Sequence, residues 1–363
     1  MGFPPPLQAL NATKPLPITV EQLNDEWFSD ILQREVRIKH FTTIHGTASK
    51  VLVTLEDQGS IEHGKPTAYC VKGGFMEIQK EFGLDSSYSR EAEFFYYLAP
   101  KLDMRVPRAW FSGTDTRGQG IVVQDNLVTL GCSFGQCARA WSVEQVSKGL
   151  GELADLHGKT WWAKETDYTF LQPGGDQDLQ KVIDLIAQED RWKERLSNSP
   201  VPDALRDRKR VLAAIKTLWA TRRSDHQCIL HGDPHVGNTF FTPTGQPGFL
   251  DFQNVMVGSP FHDVAYFIGG ALHPDDRRVH ERELLDGYLD KVHKAGAARR
   301  LQVDEVWDEY RKYHLHGVGW AVTAPFMQGQ ENIDAMATRH SAAALDHHVL
   351  ELMEAMPEYK KVS

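Results

Sequence analysis

Apolar and polar residues alternate along the early part of the chain, and a three-to-four-residue rhythm takes over later. Between Thr19 and Leu32 the apolar positions of TVEQLNDEWFSDIL recur at helical spacing, with Thr19 placed to cap a helix. Residues 36–44 alternate, 50–56 read as their partner across a hairpin tip at 44–50, and 68–72 form a third short strand. A helix follows from Ser86 or Ser87 through REAEFFYYL and stops at Pro100. Further strands are expected over 108–113 and 120–124.

Beyond residue 140 the period becomes 3.6. Helices are expected over 143–162, 178–196, 202–221, 276–294, 303–320 and 333–356. The one clear strand pair in this half is Thr239–Thr242 with Gly248–Asp251, joined by a Pro-Thr-Gly-Gln-Pro turn. An α+β architecture follows, with an antiparallel sheet and one internal helix first and helices after. At 363 residues the chain exceeds what one compact core usually supports, so two units are expected, 1–128 and 129–363. Residues 1–17 hold five of the 18 prolines and read as an extended, poorly ordered arm.

Charge and composition narrow the function. A net charge of −9 argues against nucleic acid as an obligate partner, which would favour a basic face. The four cysteines (Cys70, Cys132, Cys137 and Cys228) form no CxxC pair and read as free thiols. No apolar run reaches the ~18 residues of a membrane span, and the first residues lack the pattern of a secretory signal. A cytoplasmic enzyme, monomeric or homodimeric, is expected.

Chemistry concentrates in 231–251, which reads HGDPHVGN, then a hairpin, then FLDFQ. Asp233 can accept a proton from an attacking hydroxyl. Across the hairpin, the Asn238 amide oxygen and the Asp251 carboxylate can share Mg²⁺, a hard cation that takes oxygen ligands. Two other readings compete for the same residues. Asp233 can simply bond backbone amides in a turn, or His231, Asp233 and His235 can hold zinc in a hydrolase. Earlier in the chain, Lys72 ends a β-rich run and Glu91 lies 19 residues on, within the internal helix. Such a pair would aim an ammonium group at nucleotide phosphates, with Glu93 turned elsewhere on the helix.

Together these residues resemble the aminoglycoside phosphotransferase and choline-kinase-like superfamily, in particular its ecdysteroid-kinase-like branch, relatives of the protein kinases. The resemblance rests on His231–Asn238, on Leu-Asp-Phe-Gln at 250–253, and on His262-Asp263 before an apolar helix. Weaker matches are REAEFFYYLAP at 90–100, VVQDNL at 122–127 and LADLH at 153–157. It implies a two-lobed protein-kinase-like fold, with ATP and Mg²⁺ between the lobes. Lys72 would sit on the phosphates, with Glu91 as its partner. Gln124 and Asn126 would belong to the segment that receives adenine through its backbone. Asp233 would be the base, Asn238 and Asp251 the metal ligands, and Asp263 and His231 supports of the catalytic loop. The phosphate loop departs from the pattern: His45–Ser49 has one glycine, Gly46, so the hydroxyls of Thr47 and Ser49 would assist.

The acceptor is expected to be a small-molecule alcohol bound near 160–190 and 313–340. Trp161, Trp162 and Trp320, with Phe326, Glu331 and Asp334, would suit an amine-bearing alcohol through cation–π contact and ion pairing. The same tryptophans at helical spacing also suit a protein core, and a neutral apolar alcohol stays open. A catalytically weak nucleotide-binding relative is the other reading, against which stand the intact Lys72, Asp233, Asn238 and Asp251.

Overall fold

The computed structural model describes residues 10–44, 49–56, 66–75, 86–171, 175–222, 225–323 and 328–362. Its first part holds helix α1 (Asp25–Leu32), strands β1 (Ile38–Ile44), β2 (Ser49–Leu55) and β3 (Ala68–Gly73), helix α2 (Ser86–Glu93), and strands β4 (Ala109–Thr114) and β5 (Gly120–Asp125). The strands form one antiparallel sheet in the order β1-β2-β3-β5-β4. Central β3 and β5 are almost wholly buried, as their apolar composition requires, whereas edge β1 keeps its Lys, His and Thr side chains toward solvent. Helix α2 lies against β4 and β5. It widens into a π turn over Phe94–Leu98 before Pro100 ends it.

Two local expectations at the N-terminus change. Thr19 precedes a short 3₁₀ turn, Val20–Gln22, without capping it through its side chain. The cap of α1 is Asn24, whose side chain accepts from the Trp27 amide. The arm is docked from residue 10 onward. Thr114 N donates to Leu10 O at 2.6 Å, Leu16 N donates to the Asp115 carboxylate at 3.0 Å, and Leu10 and Leu16 are buried. Apolar residues spaced among the prolines give this segment something to bury.

The second part contains β6 (Ser133–Phe134), α3 (Val143–Lys159), α4 (Gly175–Ile186), α5 (Glu189–Leu196), α6 (Arg208–Ala220), β7 (Cys228–Leu230), β8 (Thr239–Phe241), β9 (Pro247–Phe249), β10 (Met256–Gly258), α7 (Phe261–Ala271), α8 (Pro274–Ala295), α9 (Val303–Gly319), α10 (Gln330–Asp346) and α11 (Val349–Glu354). The helix expected over 178–196 is two, and the last one breaks where His348 turns left-handed at φ 51°. Helix α6 starts only at Arg208, capped by Asp207, because the residues after Pro202 make a 3₁₀ turn instead. Besides the hairpin β8–β9, β7 pairs with β10 and β6 joins β8. Three-residue strands are too short for periodicity to reveal.

Helix α7 is buried on every face, and its sequence FHDVAYFIGGA is correspondingly apolar all round. Each fully buried Val, Ile or Phe in it contributes about 1.5–3 kcal/mol over exposure. Around it pack α3, α9 and α10, while α3 and α8 run along each other. The antiparallel sheet followed by a helical part is the α+β architecture expected. No helix of the described residues is long and apolar enough to cross a membrane.

The helical core also encloses His314, His316 and His340, each held neutral because burial disfavours the imidazolium. His340 is lowered to about 3, and the other two fall well below their ordinary 6.5. The unfolded chain binds protons on these rings below about pH 6.5 and the folded chain refuses them. Stability is therefore full above that pH and falls as pH drops below it. The denaturant midpoint is expected to be lower at pH 5.0 than at pH 7.0, with net proton uptake on unfolding. Equal midpoints would show that the buried rings do not carry this linkage.

Candidate active site

The loop from β7 to β8 is shaped by Gly232 and Asp263. Gly232 is left-handed at φ 84°, and a Cβ there would lie 2.1 Å from Asn254 O, so the loop can pass only as glycine. Asp263, on the first turn of α7, is fully buried and accepts from four donors. These are His231 N at 2.7 Å, Gly232 N at 3.1 Å, His157 Nε2 at 3.1 Å and His262 Nδ1 at 3.2 Å. Burial alone would raise its pKa, but the bonds from His157 and His262 outweigh that and hold the carboxyl far below its usual range. His157 is oriented in turn by Tyr288, 2.8 Å from its other nitrogen. His231 spends both ring nitrogens locally: Nε2 donates to Leu250 O at 2.8 Å and Nδ1 accepts from Asp233 N at 3.3 Å.

Asp233 therefore leaves the loop with its backbone held and its side chain partly exposed. The Asn238 amide donates to Asp233 O at 3.0 Å and to its carboxylate at 3.3 Å. Burial, then the charges of Asp251 and Asp263, push the Asp233 carboxyl well above its ordinary value. Leu250 N donates to Asn238 O at 2.8 Å, which sets Asp251 beside Asn238 just past β9. Asp251 itself is left-handed at φ 67°, a conformation costing a non-glycine residue about 1–2 kcal/mol.

Asp251 also meets the sheet. Lys72 on β3 lies 2.5 Å from Glu91 on α2 and 3.1 Å from Asp251. Lys50 stands 3.9 Å from the other Asp251 oxygen. Burial works to lower the lysine's pKa, but Asp251 and Glu91 outweigh it, and Lys72 stays charged with its pKa raised. The same two lysines hold Asp251 down to about 2 against its burial. Glu91 accepts as well from Phe252 N at 3.2 Å, and the Phe252 ring stacks on Phe94 at 3.9 Å. Glu93 points away and bonds Thr169 at 3.2 Å.

Lys50, Asp233, Asn238 and Asp251 line one cavity of about 400 Å³, whose lining also includes Leu179, Val182, Trp320, Ile333 and Met336. Of the described residues expected around the acceptor, Trp320 is the one that lines it. Helix α3 ends at Lys159, and the chain turns outward so that Trp162 is left-handed at φ 70° and 55% exposed. Trp161 packs against Trp162 and His226. Glu331 sits exposed on the first turn of α10. Gln124 and Asn126 are buried at the end of β5, outside the cavity lining, and Asn126 caps a turn by accepting from Val128 N. Gly46, Thr47 and Phe326 lie outside the described residues, and of Ser49 only the backbone, in β2, is described.

Sequence reasoning passed over Lys50, Arg90 and Tyr266. Arg90 is buried and donates to Gln253 O at 2.6 Å and to Asp178 at 2.8 Å, joining α2 to α4 and to the segment after Asp251. A buried Arg next to the pairing acid was the available signal. Tyr266 lies three residues after Asp263, on the same face of α7, which could have marked it. His231, Asp233 and His235 do not gather as a cation site. The Nδ1 atoms of both histidines accept backbone amides, and the cluster of possible ligands among the described residues is elsewhere, at Glu281, His314 and His347.

Comparison with known proteins agrees with this geometry. The model of the phosphotransferase enzyme family (APH) matches residues 78–312. Choline kinase LicA from Streptococcus pneumoniae superposes with a TM-score of 0.51 at 15% identity, covering 90% of this chain and 99% of that one. LicA in complex with AMP gives 0.52, also at 15% identity, covering 90% and 97%. Choline kinase from Cryptosporidium parvum Iowa II gives 0.50 at 10% identity, covering 85% and 88%. At these identities the likeness is one of fold, the two-lobed kinase-like one. No curated protein sequence matches the chain.

Asp263→Asn keeps the shape but turns an NH₂ toward groups that donate. Removing one partner from a buried charged network costs about 3–5 kcal/mol, and that loss is expected in urea unfolding of the variant. A difference under about 1 kcal/mol would show that the loop does not depend on this carboxylate.

Proposed function

This chain belongs to the phosphotransferase enzyme family, and on that premise we propose that it moves the γ-phosphate of ATP to a hydroxyl of a small, uncharged molecule. The observation that carries the reading is the one cavity that Lys50, Asp233, Asn238 and Asp251 line together with Leu179, Val182, Ile333 and Met336. Its size falls within the range of small-molecule sites, about 300–1,000 Å³.

The roles follow from chemistry. Lys72, kept charged and aimed by Glu91, is the group to meet the phosphates, with Lys50 beside it. Asp251 and Asn238 are hard oxygen donors that suit Mg²⁺. When bound, the cation would neutralise charge on the phosphates. Asp233 accepts the proton of the acceptor hydroxyl as the new P–O bond forms. The bond from the γ-phosphorus to the β–γ bridging oxygen breaks, and ADP leaves with that oxygen. The raised pKa of Asp233 makes it a better proton acceptor than an ordinary carboxylate.

An uncharged acceptor is favoured by the described lining. Leu179, Val182, Trp320, Ile333 and Met336 offer apolar surface, and Gln328 and Asn332 offer neutral amides. The one further carboxylate there, Asp178, is neutralised by Arg90 at 2.8 Å and Lys181 at 3.2 Å. Glu331, which an ammonium group would have needed, points to solvent.

An ATP-consumption screen against pooled neutral alcohols, with choline, ethanolamine and aminoglycosides in separate pools, tests both parts. Turnover is expected in a neutral pool. Asp233→Asn should melt like the wild type and lose roughly 10²–10⁴-fold in rate. Retention of more than about a tenth of the rate would remove Asp233 as the base, and preference for a cationic pool would overturn the uncharged acceptor.

A further inference from the structure

Beside Asp233 the cavity has a polar notch that the roles above leave unused. His235 and Gln328 belong to the same lining as Asp233. The His235 side chain caps the 3₁₀ turn Val236–Asn238, its Nδ1 accepting from Gly237 N at 3.0 Å. Cys137 Sγ lies 3.5 Å from the same nitrogen. A peptide N–H can only donate, so Nδ1 carries no hydrogen and the neutral ring carries it on Nε2. Burial favours that neutral ring, lowering its pKa to about 4. The ring has this place because residue 237 is glycine: a Cβ there would lie 2.7 Å from His235 Cε1 and 2.9 Å from Nδ1.

Nε2–H is therefore a donor, and the two groups near it do not answer it well. Asp233 Oδ2, at 3.7 Å, is beyond hydrogen-bond reach. Gln328 Nε2 stands 3.5 Å away, but an NH₂ group donates too. Even turned over, that amide would accept only at the outer limit of such a bond. Gln328 Oε1, for its part, is buried with no hydrogen-bond partner among the described residues. Buried polar groups are nearly always paired. A donor and an acceptor next to the proposed base, both unspent, are a place for a ligand group.

We infer that the His235–Gln328 notch binds a second hydroxyl of the acceptor, next to the one that is phosphorylated, so that the substrate is a neutral vicinal diol. The inference rests on the reading of Asp233 as base for the first hydroxyl. A hydroxyl suits the notch because one oxygen both accepts and donates. It takes the hydrogen of His235 Nε2 and gives its own to Gln328 Oε1. Hydrogen bonds that leave Nε2 and Asp233 Oδ2 side by side, 3.7 Å apart, end on oxygens similarly spaced, as adjacent carbons of a diol carry them. Leu179, Val182, Ile333 and Met336 are left to take the carbon skeleton. An alcohol with a single hydroxyl would leave His235 and Gln328 unpaired, at a cost in binding.

The test compares rates with Mg·ATP for a vicinal diol of cyclohexane, for cyclohexanol and for the mono-methyl ether of the diol. The diol should exceed both in kcat/KM by roughly 10- to 100-fold, since each analogue leaves a buried group unpaired. Gln328→Met removes the amide at similar volume. His235→Asn keeps an oxygen to cap Gly237 N and withdraws the donor. Each variant should bring the preference for the diol close to parity. A wild type indifferent to the second hydroxyl overturns the inference, as does a preference that survives both variants. A loss shared equally by the three alcohols, with a raised KM for ATP, also overturns it, because the imidazole would then serve the phosphates. The Asp233→Asn variant separates the two levels. If it stays active, the base assignment fails. If it is inactive while the wild type gives the diol no advantage, only the notch fails. If no neutral alcohol turns over, both fall.

Discussion

A carboxylate stripped of water must find its charge matched, and Asp263 is where this chain meets that requirement. Two backbone amides of the β7–β8 loop and two imidazoles converge on it. Isolated, such a charge would cost many kcal/mol in a low-dielectric interior. Once the four donors are in place, the loop, α7 and α3 have one relative arrangement, and Tyr288 extends the network to α8. Asp233 and Asn238 do not choose their own positions. They inherit them from a buried ion several residues away.

A second set of charges joins the sheet to that framework. Lys72 is held between Glu91 of α2 and Asp251 of the β9 loop, so three segments far apart in sequence share one ammonium group. The left-handed backbone of Asp251 is tolerated because the cation and the β8–β9 ladder fix it from two directions. Around the charges the packing is apolar: Phe252 stacks on Phe94, and His231 lies against Phe252 at 4.6 Å. Charge supplies the aim and aromatic packing the rigidity.

Much of this was legible because the 231–263 segment carries its chemistry in short-range order. An Asp, an Asn five residues on and a second Asp after a hairpin can be placed from turn and strand signals alone. Lys72 and Glu91 were legible for a similar reason, since each sat at a recognisable place on a strand or helix. Contacts such as Arg90 with Asp178 were not, because nothing local in either residue marks a partner 88 positions away. The tryptophans divide: Trp320 lines the cavity, while Trp161 and Trp162 lie past the end of α3 and outside its lining, because helical spacing tells that a ring faces inward or outward, not which faces open on a cavity. Strands of three residues, β7 and β10 among them, carry too few positions for alternation to register.

Neighbouring residues of a helix point about 100° apart, and Arg90 and Glu91 use that angle to grip different bodies. Glu91 reaches the sheet through Lys72, and Arg90 reaches α4 and the Gln253 carbonyl. Rolling α2 about its axis would break both grips together, so the helix cannot ride with one lobe alone. One short helix thereby ties the sheet to α4 and to the segment after Asp251. α2 is thus a pin through two parts of the molecule, and a change at either end is felt at the other.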